Sequence, residues 1–125
     1  MEYDRFVELV AQRADVAHER ARALTYASLG TLGTRISSGE ARDLAGQLPA
    51  ELQPGLSGTN EPAEEFNAGD FVRRVAEGAG VAEDAARAGA RAVLVTLREA
   101  VSEGEWKQVT AQLSEDYGEL IGPAT

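Results

Sequence analysis

Residues 37–48 read SSGEARDLAGQL, and residues 102–113 read SEGEWKQVTAQL. Both stretches begin with Ser-x-x-Glu, which is typical of a helix start. In that pattern the serine hydroxyl accepts from the amide of the glutamate, and the glutamate side chain returns to the serine amide. Both stretches end in Gln-Leu. The sequence therefore predicts two similar helices, capped by Ser37 and by Ser102.

The similarity extends to both sides of this stretch. Without a gap, residues 6–52 match residues 71–117 at 19 of 47 positions. Phenylalanine, arginine and glutamine take part in the match, so it does not depend on the abundance of alanine. A self-match of this length indicates two copies of one structural unit.

Each copy reads as three helices. Apolar side chains at the spacing i, i+3, i+4 predict a first helix over 3–14 and its copy over 68–79, the latter capped by Asn67. A long second helix is predicted over 17–36 and again over 82–101. The third helix begins at the Ser-x-x-Glu pattern, and a short amphipathic tail follows it.

We expect an all-α fold, a non-parallel (orthogonal) helical bundle of two pseudo-symmetric three-helix units with about six main helices plus short tails. Because some 50 residues bury too little surface to fold well alone, residues 1–125 are expected to form a single domain. Unit one covers residues 3–56 and unit two residues 68–121. Residues 54–67 are rich in Pro, Gly, Ser, Asn and Glu and are expected to form a mobile, acidic linker.

Composition argues against several kinds of function. The chain has no cysteine and one histidine, His18, so thiolate chemistry and sites that need two imidazoles are excluded. With 12 basic and 21 acidic residues the net charge is −9, which disfavours nucleic acids and anionic membranes as partners. We expect a cytoplasmic protein without cofactor, metal or catalytic site, because no catalytic motif is present.

Polar residues that recur at matching positions of the two units are the first candidates for a site. They are Arg22 and Arg87, Glu40 and Glu105, and Gln47 and Gln112. Paired arginine and glutamate residues can form charge-assisted hydrogen bonds. Two interpretations are open: the six residues stabilise the fold, or they line a polar groove between the units.

Residues that differ between the units are the second set of candidates. Trp106 replaces Ala41, Tyr117 replaces Leu52, and Lys107 follows the tryptophan. Trp and Tyr contribute disproportionately to interface energy, so Trp106, Tyr117 and Lys107 are a possible partner surface. The alternative is that Trp106 fills space in the core.

Two functions from different classes fit these observations. The first is a non-enzymatic helical module that binds another protein or a second copy of itself. The alternative is a small-ligand sensor or carrier with an apolar pocket between the units, near Gly30, Gly33 and Gly89, where glycines in long helices suggest that backbones cross closely. A pocket of a few hundred Å³ there favours the ligand, and a filled crossing favours the partner.

The motifs also carry a family resemblance. Residues 38–49, residues 99–105 and the closing Gln112-Leu113 with Tyr117 resemble the bacterial "domain of unknown function 2267" family. The resemblance covers residues 1–121, and Ser114 departs from it where the family repeats Leu-Pro. It implies an all-α, cytoplasmic bacterial protein with two similar halves, and it brings no activity, cofactor or catalytic residue.

Overall fold

Eight α-helices follow one another along residues 1–56 and 62–122, the part of the chain that the computed structural model describes. They are α1 (Tyr3–Ala14), α2 (His18–Arg35), α3 (Ser38–Ala45), α4 (Gln53–Leu56), α5 (Ala68–Ala79), α6 (Glu83–Ala100), α7 (Glu103–Ala111) and α8 (Gly118–Ile121), and a 3-10 turn over Glu115–Tyr117 precedes α8. Because these residues include no strand, the prediction of an all-α bundle is confirmed.

The first helix of each unit ends in the left-handed backbone region. After α5 this position is Gly80, with φ 69°, where the absence of a Cβ atom removes the steric penalty. After α1 it is Asp15, with φ 55°, and aspartate is among the few other residues that visit this region. The next amide of each turn bonds back into its helix, Val16 to Ala11 and Val81 to Ala76. These turns lead into the two long helices.

The long helices α2 and α6 lie at the centre of the bundle. They pack against each other, and each packs against both α1 and α5. Leu24 and Leu32 of α2 and Val93 and Leu97 of α6 are fully buried in a core that draws on both units. Burial of side chains of this size contributes about 1.5–3 kcal/mol each, so the two units share the apolar contacts that stabilise the fold. The pseudo-twofold relation between them stays a prediction.

The shorter helices cover this central pair from the outside. α4 packs on α2, and α8 packs on α6. α3 and α7 contact each other directly, which brings the two capped helix starts of the repeat together. This contact positions the polar residues described below.

The segment that we expected to be a mobile linker is in part built into the bundle. Pro54, Gly55 and Leu56 belong to α4, and the Glu64 amide donates to the carbonyl of Thr34 at 3.0 Å. Phe66 is buried against the core, because its ring packs near Phe71. Both ends of the expected linker thus contact the bundle, and its central residues 57–61 lie outside the described part of the chain.

Candidate functional site

The start of α3 is capped by a residue of the other unit. Ser37 accepts a hydrogen bond from the amide of Glu40 at 3.2 Å, as the sequence pattern predicts. The Ser37 amide does not donate to Glu40, however. It donates to the side-chain oxygen of Gln112 at 2.7 Å, and the Gln112 amide group donates to the Ser37 hydroxyl at 3.3 Å. The reciprocal half of the expected capping box is therefore replaced by a contact between the units.

The same arrangement occurs at the start of α7 with the units exchanged. Ser102 accepts from the amide of Glu105 at 3.1 Å, and the Ser102 amide donates to the side-chain oxygen of Gln47 at 2.7 Å. The Gln47 amide group donates to the Ser102 hydroxyl at 3.3 Å. Each glutamine thus satisfies a helix-start amide that lacks an intrahelical partner. Two hydrogen bonds in each direction tie the units together at α3 and α7.

The two glutamates that the glutamines displace turn toward each other. Glu105 is 7% exposed, and its Oε2 atom is buried without a hydrogen-bond partner among the described residues. Oε1 of Glu40 is buried without a partner in the same way. Burial, together with the neighbouring carboxyl of Glu40 and the charge of Asp43, raises the pKa of Glu105 to about 7. We call Glu40 and Glu105 the carboxyl pair.

The two recurring arginines do not join this cluster. Arg22 lies exposed near the start of α2, beside Glu19 and Tyr26. Arg87 lies exposed on α6 and donates to Glu119 at 2.6 Å. Since neither arginine contacts the carboxyl pair, the structure does not assemble the six recurring polar residues into one groove. The glutamates and glutamines meet at the α3–α7 contact, and the arginines lie on the long helices.

Trp106 and Tyr117 are core residues, which corrects the expected partner surface. Trp106 is 7% exposed, and Tyr117 is fully buried. The Tyr117 ring meets Phe71 edge to face with centroids 5.8 Å apart, and its hydroxyl donates to the Phe66 carbonyl at 2.7 Å. Of the three residues only Lys107 is exposed. Its Nζ lies 3.6 Å from Oε1 of Glu103 on the same helix. The larger aromatics of unit two occupy interior space, so neither is available to a partner.

Arg35 is a buried cation that the sequence comparison missed. It is 6% exposed, and its Nε donates to the Phe66 carbonyl and one Nη to the Gln112 carbonyl, both at 2.9 Å. Its guanidinium also lies over the Tyr117 ring, 5.4 Å from the centroid. In the second unit the matching residue is Ala100. That difference between the units is the sequence signal that could have identified Arg35.

The space near Gly89, where a ligand pocket was conceivable, is filled. A Cβ atom at Gly89 would lie 2.5 Å from a methyl carbon of Leu24, so the two long helices are in close contact there. Gly33 is covered by the backbone of Leu56 in α4, and Gly30 lies near the Gly55 carbonyl. The glycines therefore permit close packing of helices, as one interpretation of the sequence expected.

An open, partly apolar depression lies between α1 and α6. Its residues are Arg13, Ala88, Arg91, Ala92 and Val95, and its volume is about 500 Å³. We call it the α1–α6 groove. Val95 is 38% exposed, which is unusual for a large apolar side chain of this bundle. The groove thus combines an apolar floor with two arginines.

The two arginines of the groove differ in their partners. Arg13 reaches across to α6, where it donates to the Thr96 hydroxyl at 2.9 Å and to both carboxylate oxygens of Glu99 at 2.8 and 2.9 Å. Arg91 forms no ion pair with any residue in the described ranges. Arg91 therefore supplies the cationic group of the groove that is free to meet an anion.

Across residues 1–56 and 62–122 no group of three or more His, Cys, Asp or Glu side chains is arranged to hold a metal ion. His18 is exposed at the first position of α2. Within the same ranges no helix has both the length and the apolar character that a bilayer crossing requires.

Comparison with known proteins places the chain in a family. No curated protein matches the sequence. Residues 3–120 match the family described as "Uncharacterized conserved protein (DUF2267)". The match includes both units and all the elements of the α3–α7 contact, so it agrees with the resemblance carried by the Ser-x-x-Glu and Gln-Leu motifs. The chain belongs to the DUF2267 family.

Proposed function

We propose that this protein is a non-enzymatic helical module that binds another protein through the α1–α6 groove. The partner segment would place an apolar side chain over Ala92 and Val95 and a carboxylate beside Arg91. We further propose that it acts in the bacterial cytoplasm, in keeping with the family resemblance. The surface assigned to binding therefore moves from Trp106 to the outer face of α6.

The observation that carries this proposal is a difference between the two units at matching positions. Val95 corresponds to Gly30, which the Gly55 carbonyl of α4 approaches. Arg91 corresponds to Tyr26, whose hydroxyl donates to the Glu51 carbonyl at 2.9 Å. The α4 backbone thus lies against the face at Gly30 in unit one, whereas Val95 is 38% exposed in unit two; Tyr26 is exposed to a similar extent, 37%, and uses its hydroxyl within the chain.

Charge complementarity supports a partner segment that carries a carboxylate. The net charge of −9 opposes an acidic partner at long range, but ionic strength near physiological values screens it beyond about 8 Å. At contact distance the guanidinium of Arg91 acts alone, and arginine is well suited to carboxylates because it donates two parallel hydrogen bonds. Aliphatic side chains beside it supply the apolar contact.

The filled crossing of the long helices argues against the alternative function, a ligand carrier. Leu24 occupies the space beside Gly89 in which an apolar ligand would have to lie. The groove is open along one side, whereas small-molecule sites bury most of the ligand surface. A protein segment, which needs only one face covered, suits such a depression better.

Affinity capture from the native host with a matched set of variants tests the proposal. Wild type should retain a partner that Val95→Glu and Arg91→Glu lose, since the first substitution places a charge on the apolar floor and the second reverses the free cation. Lys107→Glu on α7 is the matched control and should retain the partner. Circular dichroism should be the same for all four proteins, because all three side chains are exposed.

Light scattering on the same proteins separates two kinds of occupant. A wild-type dimer that becomes a monomer in Val95→Glu would identify a second copy as the occupant of the groove. A partner captured equally by wild type and both groove variants, or one lost only by Lys107→Glu, would contradict the proposal.

A further inference from the structure

The carboxyl pair has a property that its structural role does not require. Glutamates at the third position of a capped helix ordinarily bond to the N-cap amide or face water. Here Gln47 and Gln112 hold those amides, and the carboxyl of half-buried Glu40 lies beside that of buried Glu105. Glu105 is more than nine-tenths buried, and its Oε2 has no partner among the described residues.

Two ionised carboxylates in such a place are costly. Each loses hydration, and their like charges repel, so that a buried pair is stable only when it holds a proton or a cation. Among the described residues no cation acts to lower the pKa of Glu105. On α3, Asp43 adds negative charge and Arg42 is exposed, and on α7 Lys107 lies beside Glu103 at the surface.

The other helices packed against α3 bring no positive charge to the carboxyl pair. α4 has no charged residue, and Arg35 at the end of α2 is engaged with the carbonyls of Phe66 and Gln112. No group of three metal-ligating side chains includes the carboxyl pair in the described part of the chain. A proton is therefore the ligand that fits two buried oxygens facing each other.

We propose that Glu40 and Glu105 hold one proton between them and that loss of this proton loosens the contact between α3 and α7. The proton joins the two carboxyls by a hydrogen bond, and its departure leaves two anions in its place. The pKa of Glu105, raised to about 7, brings this change into the neutral range. The inference is independent of the α1–α6 groove.

The consequence extends to the exchanged glutamine contacts, because they lie in the same interface. When α3 and α7 separate, Ser37 and Ser102 lose their glutamine partners and the first amides of both helices meet water. Amide hydrogen exchange reports such openings directly. The contact between the units would then respond to pH while the long helices stay packed.

Hydrogen exchange at pH 6 and pH 8 tests this inference on the intact chain. After correction for intrinsic rates, exchange of the protected amides of α3 and α7 should be about tenfold faster at pH 8, because a carboxyl that titrates near pH 7 when folded and near 4.5 when open weakens the closed state over this interval. Amides of α2 and α6 should keep their protection. Glu105→Gln, which donates a hydrogen bond at any pH, should abolish the difference.

A second variant and a matched control complete the experiment. Glu40→Gln should reduce the difference without abolishing it, because it removes the neighbouring carboxyl and leaves burial to raise the pKa of Glu105. Glu103→Gln, on the same turn as Glu105 but with an exposed side chain, should keep it. The same tenfold change in Glu105→Gln as in wild type, or no change in wild type, would overturn the inference. So would carboxyl NMR in which both glutamates titrate below pH 5.5.

Discussion

Gln112 accepts a hydrogen bond from the backbone amide of Ser37 at 2.7 Å, at the place where a local helix cap would use Glu40. The use of Gln112 in place of Glu40 as the hydrogen-bond partner of Ser37 explains two other features of the molecule. It joins the units through a backbone group that would otherwise be unsatisfied, and it frees Glu40 to face Glu105. The polar cluster between α3 and α7 therefore follows from which side chain caps which helix.

Gln112→Ala should lower the free energy of unfolding by about 1–2 kcal/mol, because it leaves the Ser37 amide without its partner in a partly buried contact. Urea denaturation measures the change. Gln108→Ala, at an exposed position of α7, is the matched control and should stay within about 0.5 kcal/mol of wild type. Equal stability of the two variants would mean that the exchanged contact contributes nothing.

Arg35→Ala should lower the free energy of unfolding by about 3 kcal/mol, since it removes two charge-assisted hydrogen bonds and leaves a cavity beside Tyr117. Arg35→Lys should recover less than half of the loss, because an ammonium group cannot reproduce the planar contact with two carbonyls and a ring. Arg20→Ala, at an exposed position of α2, serves as the control in the same denaturation series. Full recovery by lysine would argue that only the charge matters.

Gly89→Ala should destabilise the protein by about 1–3 kcal/mol, although alanine favours helices, because the added methyl meets Leu24 at 2.5 Å. Gly104→Ala in α7, where the methyl would meet nothing within 4 Å, should instead stabilise by less than about 1 kcal/mol. A lower melting temperature for Gly89→Ala and a higher one for Gly104→Ala would support the close crossing of α2 and α6. A neutral Gly89→Ala variant would contradict it.

Trp106→Ala should lower stability by about 3–5 kcal/mol and leave the oligomeric state unchanged, because its side chain is buried in the core of the chain. Lys107→Ala should change neither quantity. Denaturation and light scattering on both variants provide the measurements. If Trp106→Ala changed the mass in solution without loss of stability, Trp106 would have to lie in an interface between chains.

The pH dependence of stability should carry the signature of the carboxyl pair. Because the pKa of Glu105 is raised on folding, its contribution to stability is complete below pH 4.5 and is lost as the pH rises toward 7. Between pH 5 and pH 8, wild type should therefore lose on the order of 2–3 kcal/mol relative to Glu105→Gln. Parallel stability curves for the two proteins would contradict the raised pKa.

Sequence reasoning located the helices because their signals are local. Caps such as Asn67 and the serines, and apolar spacing along each helix, depend on residues a few positions apart. The repeat also identified the glutamines and glutamates as a set. It could not tell that each glutamine caps the helix of the other unit, since the capping box is a local rule and the competing partner lies 75 residues away.

The errors have a common physical cause. The burial of Trp106 and Tyr117 is decided by the space that other helices leave for them, which no pattern within one helix reports. Arg35 was missed because a charged residue is ordinarily exposed, and only the carbonyls of Phe66 and Gln112 make its burial tolerable. The α1–α6 groove depends likewise on tertiary contacts, because it forms where two helices from different units meet.

Contacts that run from each unit to the other need not be made within one chain. A second copy of the protein presents the same Gln47, Gln112, Ser37 and Ser102 groups, so two chains can exchange a unit without losing any of these hydrogen bonds. A domain-swapped dimer of this kind would keep the contacts of the monomer, and its formation would increase with protein concentration. The exchanged glutamine contacts that hold the two units together would therefore also allow two chains to exchange units.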